Sequence, residues 1–254
     1  MNTKTILPVP LSKVGYGAYQ IGRVAGNKYR SYGKPMPTEI QANAVLNGIL
    51  DLGITLIDTA PAYGYSEERI GNYLRDRRDE YNLCTKVGEL TIDGKCAFDF
   101  TRAGMRKSVE QSLRTLKTES VDSLLIHAPP DDLKVLHQSD AVEMMHILKD
   151  EGKTRTIGFS GKTVQAQEEA IEWSDVMMIE YSAANQTNES VIEQANEKGV
   201  VVLVKKAINS GHLEGNDAID FIRKKSPIHE ALHCTVIGSR SLERMEKNLE
   251  AFRV

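Results

Sequence analysis

The stretch LIDTAPAYGYSEERIG, from Leu56 to Gly71, closes an apolar run with a carboxylate, Asp58, and sets a phenol, Tyr63, five residues further on. A tyrosine hydroxyl, with a pKa of about 10, is a poor proton donor at neutral pH. A carboxylate alone makes it worse, whereas an ammonium beside the phenol favours the phenolate and lowers the pKa. Lys86, at the end of the apolar run in LCTKVG, supplies that ammonium, and His127 ends another such run in LLIHAP. Asp58 can pair with Lys86 and keep it charged and fixed, and His127 can orient a substrate oxygen by hydrogen bonding. Together the four would polarise and protonate a carbonyl. Taken singly, each has a plainer explanation as a turn residue, a packing ring or a core histidine. Their common placement at the ends of apolar runs, where an unpaired charge is costly, carries the chemical reading.

Eight short apolar runs could position these groups: Val14 to Ala18, Ile54 to Thr59, Tyr81 to Val87, Val121 to His127, Arg155 to Ser160, Asp175 to Tyr181, Gly199 to Lys205 and Leu232 to Gly238. They are mostly continuous rather than alternating, as expected of strands covered on both faces. Helical patterns lie between them. Thr38 caps the first, which Gly53 stops; Ser66 opens the second and Thr101 the third. Later helices are expected over 139–151, 164–173, 189–198, 216–225 and 241–252, while 26–37 and 88–99 read as loops. Alternating strands and helices imply a parallel sheet. Eight units in 254 residues fit one closed (β/α)8 TIM barrel spanning residues 1–254, whose catalytic groups sit at the C-terminal ends of its strands. A Rossmann reading is weak, because GYGAYQIG does not open a helix in the required way.

Composition narrows the field. The net charge of −3 gives no global reason to bind nucleic acid or an anionic membrane. No apolar run reaches the length of a membrane span, and the N-terminus lacks the apolar core of a secretory signal. Three widely spaced cysteines show neither zinc spacing nor CxxC, so reduced thiols in a cytoplasmic protein are expected and no metal is.

DTAPAYGYSEERIG, TKVG, LLIHAP and VIGSRSLERMEKNLEAF follow one another in the order found in the aldo-keto reductase superfamily, which the chain resembles from about Ser12 to Phe252. That resemblance implies a barrel, a nicotinamide cofactor, a small-molecule carbonyl substrate, and Asp58, Tyr63, Lys86 and His127 as a catalytic tetrad with Tyr63 the proton donor. It places Gly238, Ser239, Arg240, Arg244 and Asn248 at the adenosine end of the cofactor, with Gly17, Asp58, Ser160, Gly161 and Lys205 nearer the nicotinamide. A loop containing Ser210, Gly211 and Leu213 falls over the pyrophosphate. Two arginines at a helix N-terminus suit a ribose 2′-phosphate, hence NADP over NAD. Tyr19 and Pro129 are expected to wall the substrate, with Tyr29, Tyr65 and Pro130 as further candidates and Trp173 as helix packing.

Four positions depart from the family pattern. Gly161 stands for the usual Asn and Met178 for the usual Gln, removing two amide partners of the nicotinamide carboxamide, each lost bond costing about 1 kcal/mol unless replaced. Asn185 and Lys162 are the candidates to substitute. Lys205, followed by Lys206, stands where an aromatic usually stacks, and Lys247 replaces a Glu near the adenine. The sequence also stops after the last barrel helix, so no extended closing loop and a more open pocket are expected. Two alternatives to a reductase stay open: a nicotinamide-binding sensor with little turnover, favoured by the missing carboxamide ligands, and a barrel enzyme using the tetrad for proton transfer alone.

Overall fold

The computed structural model describes residues 6–22, 35–92, 95–208, 215–225 and 229–253. Eight parallel strands close into a barrel in the order β1 (Val14–Gly17), β2 (Leu56–Asp58), β3 (Asn82–Val87), β6 (Val121–His127), β7 (Thr154–Ser160), β8 (Val176–Glu180), β9 (Val201–Lys205) and β10 (Cys234–Ile237), with β10 pairing back onto β1. All eight expected runs are therefore barrel strands.

Helices α1 (Glu39–Asp51), α2 (Ser66–Tyr73), α3 (Arg102–Leu116), α5 (Ala141–Asp150), α6 (Val164–Ala170), α7 (Glu189–Glu197), α8 (Gly215–Asp220) and α9 (Leu242–Arg253) fall in the intervals expected of them. The Thr38 cap is a full capping box: its hydroxyl accepts from Gln41 N at 3.3 Å, and its own N–H donates to the Gln41 side chain at 2.9 Å. Ala42, Val45, Leu46 and Ile49 then face the barrel on a buried stripe. Thr101 caps α3 through Gly104 N.

Two local expectations need correction, over 88–99 and 216–225, and one short helix stands where none was expected. The segment after β3 is a hairpin, β4 (Glu89–Ile92) paired antiparallel with β5 (Lys95–Phe98), not a loop. A short helix, α4 (Asp132–Gln138), precedes α5. Ser66 opens α2 as expected, its hydroxyl turning inward to donate to the Ala18 carbonyl. The helix expected over 216–225 changes character: α8 gives way at Phe221–Lys225 to a wider π-helical turn.

Strand geometry divides the core in two. Leu56, Cys84, Leu125, Val176, Met178, Leu203 and Cys234 fill the barrel interior, while their outward neighbours, such as Ile57, Ile126, Ile179 and Val204, join the larger core beneath the helices. Side chains alternate along a strand, so the residue two beyond each interior residue also points inward, one layer nearer the C-terminal mouth. From Leu56, Cys84, Leu125, Met178 and Leu203 that rule reaches Asp58, Lys86, His127, Glu180 and Lys205. Parallel register holds these ends level: Asp58 aligns with Gly17 and Cys84, His127 with Ser160, and Glu180 with Lys205.

A second buried carboxylate braces this face from behind. Glu67 on α2 accepts from Thr85 Oγ1 at 2.6 Å and Ser112 Oγ at 3.1 Å, tying α2 to β3 and α3. Burial raises its pKa from 4.5 to about 7 against those hydrogen bonds. The folded chain thus keeps a proton that the unfolded chain releases, and stability falls as pH rises through that window. Glu67→Gln is expected to flatten this dependence, read from urea midpoints at about pH 5 and about pH 8. A wild-type protein more stable at the higher pH in a way the variant abolishes would contradict it.

Candidate active site

The barrel mouth brings the four candidate catalytic residues together. Lys86 Nζ makes a buried ion pair with Asp58 Oδ1 and donates to the Thr59 carbonyl at 2.8 Å, the two charged side chains being 1% and 6% exposed. Burial pulls the amine toward neutrality, but Asp58 and Tyr63 outweigh it, so Lys86 is held charged well above its usual range. Burial likewise pushes the Asp58 carboxyl up, against the pull of Lys86.

Tyr63 ends a single 3-10 turn, Pro61–Tyr63, that leads from β2 to α2. Its ring centroid lies 4.9 Å from Lys86 Nζ and 5.9 Å from the His127 ring, which it meets edge to face. Tyr19, from the turn after β1, packs edge to face on its other side with centroids 5.1 Å apart. The Tyr63 turn is held by close backbone approach at Gly22, where a Cβ would fall 2.1 Å from Tyr63 O and 2.3 Å from Ser66 N. His127 is nearly buried, and its desolvation lowers its pKa to about 4, with Glu89 opposing and the Lys86 and Lys162 charges reinforcing the fall. The imidazole is therefore neutral at physiological pH. Pro129 follows two residues beyond it, half-buried.

Farther round the rim, Lys205 Nζ donates to Ser160 Oγ and to the Gly161 carbonyl, each at 2.9 Å. Burial, then Lys162 and Lys206, hold its pKa well below the usual lysine range. Lys206 instead pairs with Glu180 at the rim. Met178 packs in the barrel interior one layer below. Asn185 donates to Glu180 Oε1 at 3.2 Å.

At the β1–β10 edge, Gly17 and Gly238 approach so closely that a Cβ on Gly238 would lie 2.9 Å from the Gly17 carbonyl. The missing side chains let these two strand ends close up directly before the N-terminus of α9. Ser239 accepts from Ser241 N at 3.0 Å, and its carbonyl receives the Tyr16 hydroxyl at 2.8 Å. Arg240 donates to the carbonyls of Gln20 at 3.1 Å and Pro35 at 2.9 Å, so it also secures the loop before α1. Arg244 is exposed and Asn248 half-buried on α9. Ser210, Gly211, Leu213 and Tyr29 lie outside the described residues. Among the described residues, no group of three or more His, Cys, Asp or Glu could hold a metal ion, and no helix is long and apolar enough to cross a membrane.

Glu89, at the start of β4, went unnoticed in the sequence although its carboxylate reaches the site: Oε2 lies 3.0 Å from His127 Nδ1. The signal was present as two four-residue segments flanking Asp93-Gly94, a dipeptide favoured in two-residue hairpin connections.

A (β/α)8 barrel with an acid, a phenol, an amine and an imidazole gathered at its C-terminal mouth is the arrangement expected of the aldo-keto reductases. The model of the Aldo/keto reductase family matches residues 13–231, and the chain belongs to that family. The aldo-keto reductase YhdN of Bacillus subtilis is 30% identical over 214 residues, covering 82% of this chain and 61% of that protein. L-galactose dehydrogenase of Arabidopsis thaliana is 35% identical over 158 residues, covering 59% and 45%. The chain thus spans about half to three fifths of these curated relatives. A solved structure from Pseudomonas aeruginosa, provisionally described as an aldo-keto reductase, superposes with a TM-score of 0.86 at 32% identity over 99% of this chain and 92% of that one.

Proposed function

We propose that the protein interconverts a small aldehyde or ketone and its alcohol with a nicotinamide cofactor, NADP(H) in preference to NAD(H). The observation that carries this reading is the buried Lys86–Asp58 ion pair set against the Tyr63 ring, with neutral His127 at its edge. A charged pair out of water is costly unless it serves a purpose, and here it sets an ammonium against the ring of a phenol placed to donate a proton. Tyr63 acts as proton donor to the carbonyl oxygen and as acceptor in reverse. Lys86 tunes it, Asp58 fixes Lys86, His127 orients a substrate oxygen, and Tyr19 and Pro129 wall the substrate.

The residues present fit the cofactor at its phosphate end. The N–H groups opening α9 beside Gly238, with Arg244 nearby, suit a phosphate dianion. Ser239, Arg240 and Asn248 line the same end. When bound, the reduced nicotinamide supplies hydride to the carbonyl carbon. Lys205 and Ser160 are the groups that would meet its carboxamide in place of the usual amides, and Ser210, Gly211 and Leu213 are assigned to the pyrophosphate loop by resemblance. We place the protein in the cytoplasm as a single barrel, since Cys84, Cys96 and Cys234 form no disulfide.

The Lys205 arrangement also favours the sensor reading, because its amine takes up the Ser160 and Gly161 oxygens. Oxidation of NADPH and NADH with a panel of aldehydes and aldoses, beside fluorescence titration of both cofactors, separates the two. Turnover is expected, and Arg244→Ala is expected to raise the Kd of NADPH about tenfold, the loss of one charge-assisted contact, with little effect on NADH. Tight binding without turnover on any carbonyl favours the sensor; binding of neither cofactor ends both.

A further inference from the structure

Lys205 reaches the mouth with no acid paired to it. A charged ammonium offers three N–H donors, a neutral amine two and a lone pair. Nζ meets two acceptors, both uncharged: the Ser160 hydroxyl oxygen and the Gly161 carbonyl, each at 2.9 Å. The two carboxylates that act on it are already committed. Asp58 pairs with Lys86, and Glu180, level with Lys205 across the β8–β9 ladder, pairs with Lys206 and accepts from Asn185. The charged groups facing the amine are Asp58 from β2, Lys86 from β3, Lys162 from the loop after β7, Glu180 from β8 and Lys206 from its own strand end. Both acids having their ammonium, a further positive charge among three cations is disfavoured, and burial adds the loss of solvent. The amine is therefore held toward its neutral form. Lys86, by contrast, has its own carboxylate and stays charged.

We propose that Lys205 is a nucleophilic amine that, in the cofactor-free protein, condenses reversibly with small aldehydes to an imine, a covalent site distinct from the proton-donating Tyr63. The two N–H bonds hold the amine by its protons and leave its lone pair for a carbonyl carbon. Lys205 is half-buried at the rim end of β9, so its nitrogen stays within reach of a molecule entering the mouth. The lone pair forms the bond to the carbonyl carbon as the carbonyl π pair moves to oxygen. Both amine protons end on that oxygen, one at the carbinolamine stage and one as the C–O bond breaks, and it leaves as water. Ser160 Oγ, hydrogen-bonded to Nζ, is placed to relay them. Nothing is oxidised or reduced, so the step needs neither hydride nor cofactor and stands apart from the reductase reading.

Incubating the full chain without cofactor at about pH 7 with propanal and sodium cyanoborohydride converts each imine to a stable propyl-lysine, which peptide mass spectrometry locates. An ordinary lysine is neutral in fewer than about 1 in 10³ molecules at that pH. Lys205 is expected to be alkylated about tenfold faster, or more, than Lys107 and Lys117, both exposed. That lead is expected to shrink at about pH 10, where exposed amines lose their charge. Ser160→Asp, which sets a carboxylate against the amine, is expected to charge it and abolish the lead. Alkylation of Lys205 no faster than of the two exposed lysines overturns the proposal, whether or not the variant folds. So does a lead undiminished in a folded Ser160→Asp protein, or one as large at the higher pH. A Lys205 adduct in a protein that turns over no carbonyl with either cofactor supports the imine and defeats the reductase reading; turnover without the adduct does the reverse.

Discussion

Tyr63→Phe is expected to lower kcat for carbonyl reduction by about 10²–10⁴-fold, the usual worth of a positioned proton donor, and to leave the Kd of NADPH essentially unchanged. Phenylalanine keeps the ring that packs against Tyr19 and His127, so the mouth retains its shape and only the hydroxyl is lost. Effects on rate and binding therefore separate cleanly. Steady-state kinetics and a fluorescence titration on the same preparation check it. Turnover within a few-fold of wild type would assign the proton to another group, and a matching loss of cofactor affinity would mean that the substitution deformed the site.

Lys86→Met is expected to be the most destabilising change at the mouth. Asp58 is 6% exposed on its side chain and has Lys86 as its ion-pair partner. Removing the amine strands a buried carboxylate, and breaking such a pair on one side typically costs about 3–5 kcal/mol. At about 2–4 °C per kcal/mol for a chain of this size, a fall in Tm of roughly ten degrees follows. Adding Asp58→Asn removes the stranded charge, so the double variant is expected to recover most of that stability but none of the activity. Chemical denaturation of the wild type, both single variants and the double variant gives the coupling directly. Simple additivity would show that the two charges do not meet, and recovered activity would show that the amine has no part in the chemistry.

The barrel was legible because its strands are buried on both faces and so read as continuous apolar runs, each ending at the rim. Asp58, Lys86 and His127 were visible for the same reason: polar residues that close such runs stand out. The hairpin was not legible by that signal. Its β4 residues are half-exposed or exposed, so no apolar run marks them, and the carboxylate that reaches His127 left no trace in hydrophobicity. Helix α4 has only seven residues and follows Pro129-Pro130, too short for a periodic stripe to declare itself. Ser66 was legible as the start of α2, but not its hydroxyl's bond to the Ala18 carbonyl, a partner 48 positions away in the chain. Arg240 was legible as a cation near a helix start, but not as the donor that ties Gln20 and Pro35 together, since that role depends on loops brought close only by barrel closure. Lys205 was read as standing where an aromatic usually stacks; its alternation with interior Leu203 shows that it turns into the mouth, where it bonds Ser160.

The central claim is that Tyr63, tuned by Lys86, passes a proton to a carbonyl whose carbon takes hydrogen from the cofactor. It is tested most directly by incubating the protein with NADPH deuterated at the transferring position and an aldehyde, then reading the product by mass spectrometry. The account predicts an alcohol with one deuterium on the former carbonyl carbon, formed by the wild type and nearly absent with Tyr63→Phe. An alcohol that carries no label, or label transferred at the wild-type rate by Tyr63→Phe, would contradict it.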